Sequence, residues 1–120
     1  MARRAESLLV TPYHVLRKAV LERRRVGAVY KGLPREFYPY VLGTKGGDRQ
    51  HCLAYQVGGR STSGQITPGS PSNWRCFVVG SLSEVEIQDG PWVAAPNWDP
   101  RQTCVDHVDV EVSPSSPPAP

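Results

Sequence analysis

Between Thr11 and Val112 the apolar positions switch from a helical to a strand period, and the switch falls near Arg25. Leu16, Ala19, Val20 and Arg23 recur at three- and four-residue spacing, with Tyr13 and Val15 ahead of them and Lys18, Glu22 and Arg25 opposite. Thr11 is suited to cap the free amides of a first turn, and Pro12 fits the first helical position, where its missing N–H costs nothing. The pattern predicts an amphipathic helix from Thr11-Pro12 to about Arg25. β-Branched Val26 and then Gly27 begin an extended segment.

Five short strands are predicted next: Val26 to Lys31, Arg35 to Leu42, Arg49 to Val57, Trp74 to Val79, and Leu82 to Ile87. Gly32-Leu33-Pro34 reads as a turn and Lys45-Gly46-Gly47-Asp48 as a hairpin. Pro39 cannot donate a ladder hydrogen bond, so it marks an edge or a bulge. On the third strand Arg49, His51, Leu53 and Tyr55 share one face, and Gln50, Cys52 and Ala54 the other. On the fifth, Val85 and Ile87 face inward, Glu84 and Glu86 outward. Gly58 to Asn73 is a long loop rich in Gly, Ser, Thr and Pro. Asp89 to Pro100 is a connector carrying proline and tryptophan, and Val105 to Val112 alternates as a sixth strand, with Val108, Val110 and Val112 opposite His107, Asp109 and Glu111. Ser113 to Pro120 has nothing to bury and is expected to be disordered. There is no βαβ alternation. The expected fold is mainly β: an N-terminal helix, a small five-stranded antiparallel barrel that hides its edges by closing, and an appended C-terminal strand. The organisation is then an extension over 1–10, a helix-plus-barrel domain over 11–92, a connector and extra strand over 93–112, and a tail over 113–120.

Size and composition agree with one domain: 120 residues, 13.2 kDa, 39% hydrophobic and 21% charged. The longest apolar runs are four-residue segments such as Cys76-Phe77-Val78-Val79, far short of a membrane span. No apolar signal-peptide core follows the charged start, so a cytoplasmic location and no membrane partner are expected. The three cysteines are odd in number and far apart, which predicts reduced, mostly buried thiols. His51 and Cys52 are adjacent and so on opposite faces of a strand, a geometry that Cys76 or Cys104 does not rescue; no metal and no cofactor are expected. No nucleophile elbow, phosphate loop or carboxylate pair is present, and no catalytic residue is assigned.

The net charge of +3 conceals a split. Residues 1–60 hold twelve basic residues against four acids, and residues 61–120 hold two against seven. Such asymmetry points to a polyanion-binding face or to internal pairing.

The ordered series Leu21-Glu22-Arg23-Arg24-Arg25-Val26, Tyr30-Lys31-Gly32, Tyr38-Pro39-Tyr40, a Gly-Gly hairpin, Arg49 to Tyr55, Trp74-Arg75-Cys76-Phe77 and Leu82 to Ile87 resembles the WYL domain family, over about Tyr13 to Trp92. The resemblance implies an SH3/Sm-like barrel in a bacterial transcription regulator that senses a ligand, with nucleic acid or nucleotide as the favoured class. With about ten residues before the helix there is no room for the winged helix of such regulators, so a stand-alone, divergent module is implied. The family's Trp-Tyr-Leu falls here on Gln50-His51-Cys52, and two further arginines of the family are Val78 and Ser81 here. Only Arg75 of that basic cluster remains.

The candidate ligand-binding residues are therefore Arg23, Arg24 and Arg25 at the helix end, Arg49, His51 and Tyr55 on the third strand, and Arg75 on the fourth, in register to join them. Arginine forks suit phosphate oxygens, and cationic with aromatic groups is the means by which single-strand binders hold a base and its phosphate. Arg17 and Arg24, seven apart, would extend a stripe along one helix face. The plainer readings are a solvated helix end for the triplet and a core position for Tyr55. Tyr38 and Tyr40 are expected to pack around the bulge, and Trp74, Trp92 and Trp98 to cover the barrel's open end. The leading expectation is a non-catalytic sensing module for single-stranded nucleic acid or a nucleotide. The alternative is a protein-interaction or homodimerisation module that uses the barrel edge and the acidic C-terminal strand. In a third reading, Asp106, Asp109 and Glu111 fold back over the basic face and mask it.

Overall fold

A computed structural model describes residues 11–61, 64 and 66–113. The expected extension 1–10, positions 62, 63 and 65 of the long loop, and 114–120 of the expected disordered tail lie outside the described residues.

Helix α1 spans Pro12–Glu22 and buries Leu16, Ala19 and Val20. Thr11 caps it as expected, its hydroxyl accepting from the His14 N–H at 3.2 Å. The helix stops three residues before Arg25 because Arg23 turns into the left-handed region (φ 54°). There the Arg24 N–H bonds back to the Ala19 carbonyl at 2.8 Å and the Arg23 N–H to that of Val20, which satisfies two otherwise free helix-end carbonyls. Arg24 consequently lies beyond the helix and shares no helix face with Arg17.

Six antiparallel strands form one sheet: β1 (Arg25–Tyr30), β2 (Leu33–Lys45), β3 (Arg49–Gly59), β4 (Trp74–Val78), β5 (Leu82–Gln88) and β6 (His107–Glu111). Their order is β4-β3-β2-β1-β5, with β6 paired to β2. The mainly β class holds, but the closed barrel does not. No ladder joins β4 to β5 among the described residues, and the sheet is open. Side chains fill the gap instead: the Tyr30 ring packs edge-on against Phe77, and its hydroxyl accepts the Val78 N–H at 3.3 Å.

β2 organises the sheet. β3 runs along one edge; along the other, β1 pairs with Leu33 to Phe37 and β6 takes over from Val41 to Thr44. Covered on both faces, β2 is buried from Phe37 through Gly43. Pro39 lies beside a register shift in the β2–β3 ladder, so of the two expected roles it takes the bulge. The sixth strand is shorter than its alternating pattern, and Val108 is 45% exposed because the β2–β6 register shifts between Leu42 and Gly43. Gly43 is required here: a Cβ would drive into the His107 carbonyl oxygen and against the Val105 side chain. Gly43→Ala is expected to cost about 1–3 kcal/mol, the usual cost of overpacking. Urea unfolding checks it, and an unchanged midpoint would show that β6 does not sit tightly on β2.

Two aromatic groups lie on opposite faces of β2, because strand neighbours alternate. On one face Phe37 and Tyr30 each meet Phe77 at 4.8 Å between ring centroids. On the other, Tyr40 contacts Trp74, Trp92 and Trp98 at 5.0 to 5.1 Å, and Tyr38 contacts Trp92. This second group holds the connector after β5. Tyr38 donates to the Pro91 carbonyl, Tyr40 accepts from the Ala95 N–H, Trp74 donates to the Pro96 carbonyl and Trp98 to that of Val112. A segment with no ladder of its own thus has backbone groups satisfied by side chains. Trp92, Cys104, Val105, Val110 and Val112 belong to the same hydrophobic core as α1 and β1–β5.

Candidate functional site

The residues expected to form one basic face are dispersed. Arg24 pairs with Glu22 at 3.4 Å and Asp89 at 3.6 Å, and Arg25 donates to the Asp89 carbonyl. Arg23 is the left-handed residue that ends the helix. Arg49 is exposed at the start of β3, where it pairs with Lys45. His51 is partly buried, and Tyr55 is buried against Trp74, with its hydroxyl donating to the Ser70 carbonyl. The β3–β4 register pairs Arg75 with Ala54, Cys76 with Leu53 and Trp74 with Tyr55. Arg75 therefore leaves the sheet on the face opposite His51 and Tyr55, which corrects the expectation that it joins them. Its guanidinium binds the Ser72 and Trp74 carbonyls and the Ser61 hydroxyl, and burial lowers its pKa from the ordinary value.

Among the described residues, a basic residue outside the expected set is the most buried one. Arg35 is 3% exposed, with its guanidinium over the Tyr30 ring at 5.4 Å and the Phe77 ring at 5.9 Å. It donates to Gln56 Oε1 and to the Tyr30 carbonyl. Burial, and secondarily Arg75, hold its pKa below the usual range. Arg35 is thus a core group, its charge spent on Gln56 and the Tyr30 carbonyl.

An open groove of about 530 Å³ lies between the β3–β4 edge and residues 97–104. Leu53, Trp74 and Trp98 give it apolar wall; Asn97, Gln102 and Thr103 give it polar groups; Asp99 and Arg101 give it charge, and Arg75 borders it with its guanidinium turned to Ser61 and Ser72. Trp74 and Trp98 stand 6.0 Å apart with their planes 32° from parallel. Arg101 grips Asp99 at 2.8 Å, and its hydrogen bonds pull the Asp99 carboxyl down to about 2. Both side chains are largely in water, where such a pair is weak and open to exchange.

Cys76 and Cys104, also on the groove, are joined in a disulfide, contrary to the expectation of three reduced thiols. Only Cys52 is free, and it is buried, which pushes its thiol pKa up. The odd count concealed the pair, because Cys52 is buried alone while buried Cys104 meets exposed Cys76 at the groove. His51 completes a cluster: its Nδ1 is 2.9 Å from the Cys104 carbonyl oxygen and 3.5 Å from Cys76 Sγ. The nitrogen and both sulfurs lie within 4.8 Å of one another. His51 and its neighbour Cys52 do lie on opposite faces of β3, as expected, and share no site. The set that the fold assembles is His51 with Cys76 and Cys104, because Cys76 lies diagonally across the ladder from His51 on the same face.

The acidic strand is paired within the chain. Asp109 accepts from Tyr13 at 2.7 Å and from Arg17 at 3.1 Å, both on α1, and Asp106 accepts from the Gly46 N–H. The charge split is thus partly an internal pairing, made to the helix. These bonds, Tyr13's first, lower the Asp109 pKa, so their contribution is present above the ordinary carboxylate range and is lost as pH falls through the folded-state value. At the alkaline end the sign reverses: burial, then Asp109, raise Tyr13 to about 12. Between about pH 10 and 12 the folded chain keeps a proton that the unfolded chain releases, so stability falls as pH rises through that window. Tyr13→Phe is expected to flatten that loss in alkaline urea titrations. An equally steep loss in the variant would count against the assignment.

The residues missed from sequence are Asn97, Trp98, Asp99, Arg101, Gln102 and Thr103, all in or near the stretch set aside as a connector. Its two tryptophans among prolines were the available signal, since so much aromatic surface has to be buried somewhere. Among the described residues no helix is long and apolar enough to cross a membrane. Compared with known proteins, the chain matches no family model, no curated protein and no solved structure.

Proposed function

We propose that this chain is a non-catalytic binding module whose ligand is small, planar and anionic, a nucleotide or the end of a single-stranded nucleic acid, taken into the groove between β4 and residues 97–104. The observation that carries the reading is the placing of Trp74 and Trp98 around one opening with Arg101. Indole surfaces stack on bases, and guanidinium groups bind phosphate oxygens bidentately. Arg101 exchanges its exposed Asp99 partner for the ligand's phosphate. Arg75, tied to Ser61 and Ser72 on the sheet's other face, is not counted among the phosphate contacts.

On this reading the chain is a divergent relative of the WYL domain acting as a ligand sensor. Its support is a helix followed by strands in the order β5-β1-β2-β3-β4, with one 3-10 turn, Val79–Ser81, linking the two edge strands as in an SH3/Sm-like barrel. β6 and the connector are the additions that build the groove's second wall.

Fluorescence anisotropy with a labelled oligothymidylate and with labelled ATP, at low and at moderate salt, tests the proposal. Binding should weaken with salt, and Arg101→Ala should lose roughly one phosphate contact from the salt slope without changing thermal stability. No binding of either probe at low salt overturns it.

A further inference from the structure

We propose that the His51, Cys76 and Cys104 cluster is a redox-gated metal site: a disulfide when oxidised, and a three-ligand site for a borderline-soft divalent cation such as Zn²⁺ when reduced. Three features carry it. The ligand atoms all lie within 4.8 Å, with His51 Nδ1 3.5 Å from Cys76 Sγ, so once reduction parts the two sulfurs small side-chain movements bring all three to the roughly 3.3–3.8 Å that 2.0–2.3 Å Zn–N and Zn–S bonds impose in a tetrahedron. One imidazole and two thiolates are the donors that Zn²⁺ favours. The three residues come from β3, β4 and the connector, which the ladder and the aromatic cluster hold in place independently of the sulfur bond.

The gating step balances with a dithiol as reductant. One thiolate of the dithiol attacks Cys76 Sγ, which is on the exposed residue of the pair, and Cys104 leaves as a thiolate. The reductant's second thiol then attacks its own sulfur in the mixed disulfide, releases Cys76 and departs as a cyclic disulfide. Two electrons have passed to the protein and two protons complete the thiols. Zn²⁺ then displaces those two protons. His51 Nδ1 gives up its contact with the Cys104 carbonyl and the ring proton moves to Nε2, which among the described residues has no hydrogen-bond partner that the move would break. Three protein ligands leave the fourth position open, and because Cys76 and Cys104 both line the groove, the open position faces it. In a reducing cytoplasm the dithiol form prevails, and the metal takes over the tie that the disulfide provides under oxidising conditions.

Co²⁺ is the probe, because thiolate ligation gives it intense ligand-to-metal and visible bands. The full chain is reduced, freed of reductant without air, and titrated with Co²⁺ and then Zn²⁺, alongside the oxidised chain. The expected result is one equivalent of thiolate-bound Co²⁺ in the reduced chain only, displaced by Zn²⁺, with a Zn²⁺-dependent rise in thermal midpoint that the oxidised chain lacks. His51→Ala, which leaves the disulfide intact, should weaken Co²⁺ binding roughly tenfold or more, and Cys52→Ser should leave it unchanged. Absence of thiolate bands in the reduced chain overturns the proposal, whether the chain has unfolded or the ligands have separated. So does binding that survives His51→Ala at full affinity, or that is lost in a folded Cys52→Ser chain.

Discussion

Replacing Cys76 and Cys104 together by serine is expected to lower the unfolding free energy by about 3–4 kcal/mol. The bond closes a loop whose ends are 28 residues apart, and removing it returns the corresponding chain entropy to the unfolded state. Against a total of about 5–15 kcal/mol for a domain of this size, that is a large share. The fold should nonetheless persist at neutral pH, because the same loop is pinned by Trp74 to Pro96, Tyr40 to Ala95 and Trp98 to Val112, and is followed by β6. The groove depends on the bond more closely than the sheet does, since Cys104 ends the 97–104 wall. Urea titration of oxidised wild type against the double variant gives the number. A midpoint shift near zero would mean that the aromatic cluster alone fixes the connector.

Truncating Phe77 to alanine should cost about 3–5 kcal/mol. Phe77 is 1% exposed, and its ring is shared by Tyr30 and Phe37 across the face between β1 and β4. With no ladder joining β4 to β5, this ring and the Tyr30 hydroxyl are what close that side of the molecule. The vacated space would also remove one of the two rings against which the Arg35 guanidinium is packed. A buried cation that loses its packing costs more than the apolar transfer alone. Val93→Ser, at a residue 57% exposed, serves as the control and should fall within about 0.5 kcal/mol of wild type.

The helix, the five strands and the bulge at Pro39 were legible because each rests on local chemistry: a Thr-Pro start, alternation, a glycine hairpin, a proline without a donor. Helix length was misjudged because Arg23 is left-handed, a conformation that sequence leads one to expect of glycine. Closure was misjudged because side chains, rather than a ladder, fill the gap between β4 and β5. Of the expected ligand-binding residues, Arg75 and His51 are not on one face as the sequence suggests: the β3–β4 register pairs Arg75 with Ala54 and puts the two on opposite faces, an outcome that turns on a one-residue choice. The connector half of the groove was out of reach: Asn97 to Cys104 acquires its place from Trp98 against Tyr40 and Trp74 and from Cys104 against His51, contacts that span 24 or more positions of chain.

The decisive measurement concerns the groove. The three indole N–H signals of Trp74, Trp92 and Trp98, assigned by single Trp→Phe substitutions in a ¹⁵N-labelled chain, can be followed while ATP or a short oligothymidylate is added. Trp74 and Trp98 line the groove, whereas Trp92 is buried against Tyr38 and Tyr40 away from its lining. Saturable shifts of Trp74 and Trp98, with Trp92 nearly still, are the predicted result. Three unmoved signals at saturating ligand and low salt, or a shift confined to Trp92, would contradict the assignment of this groove as the binding site.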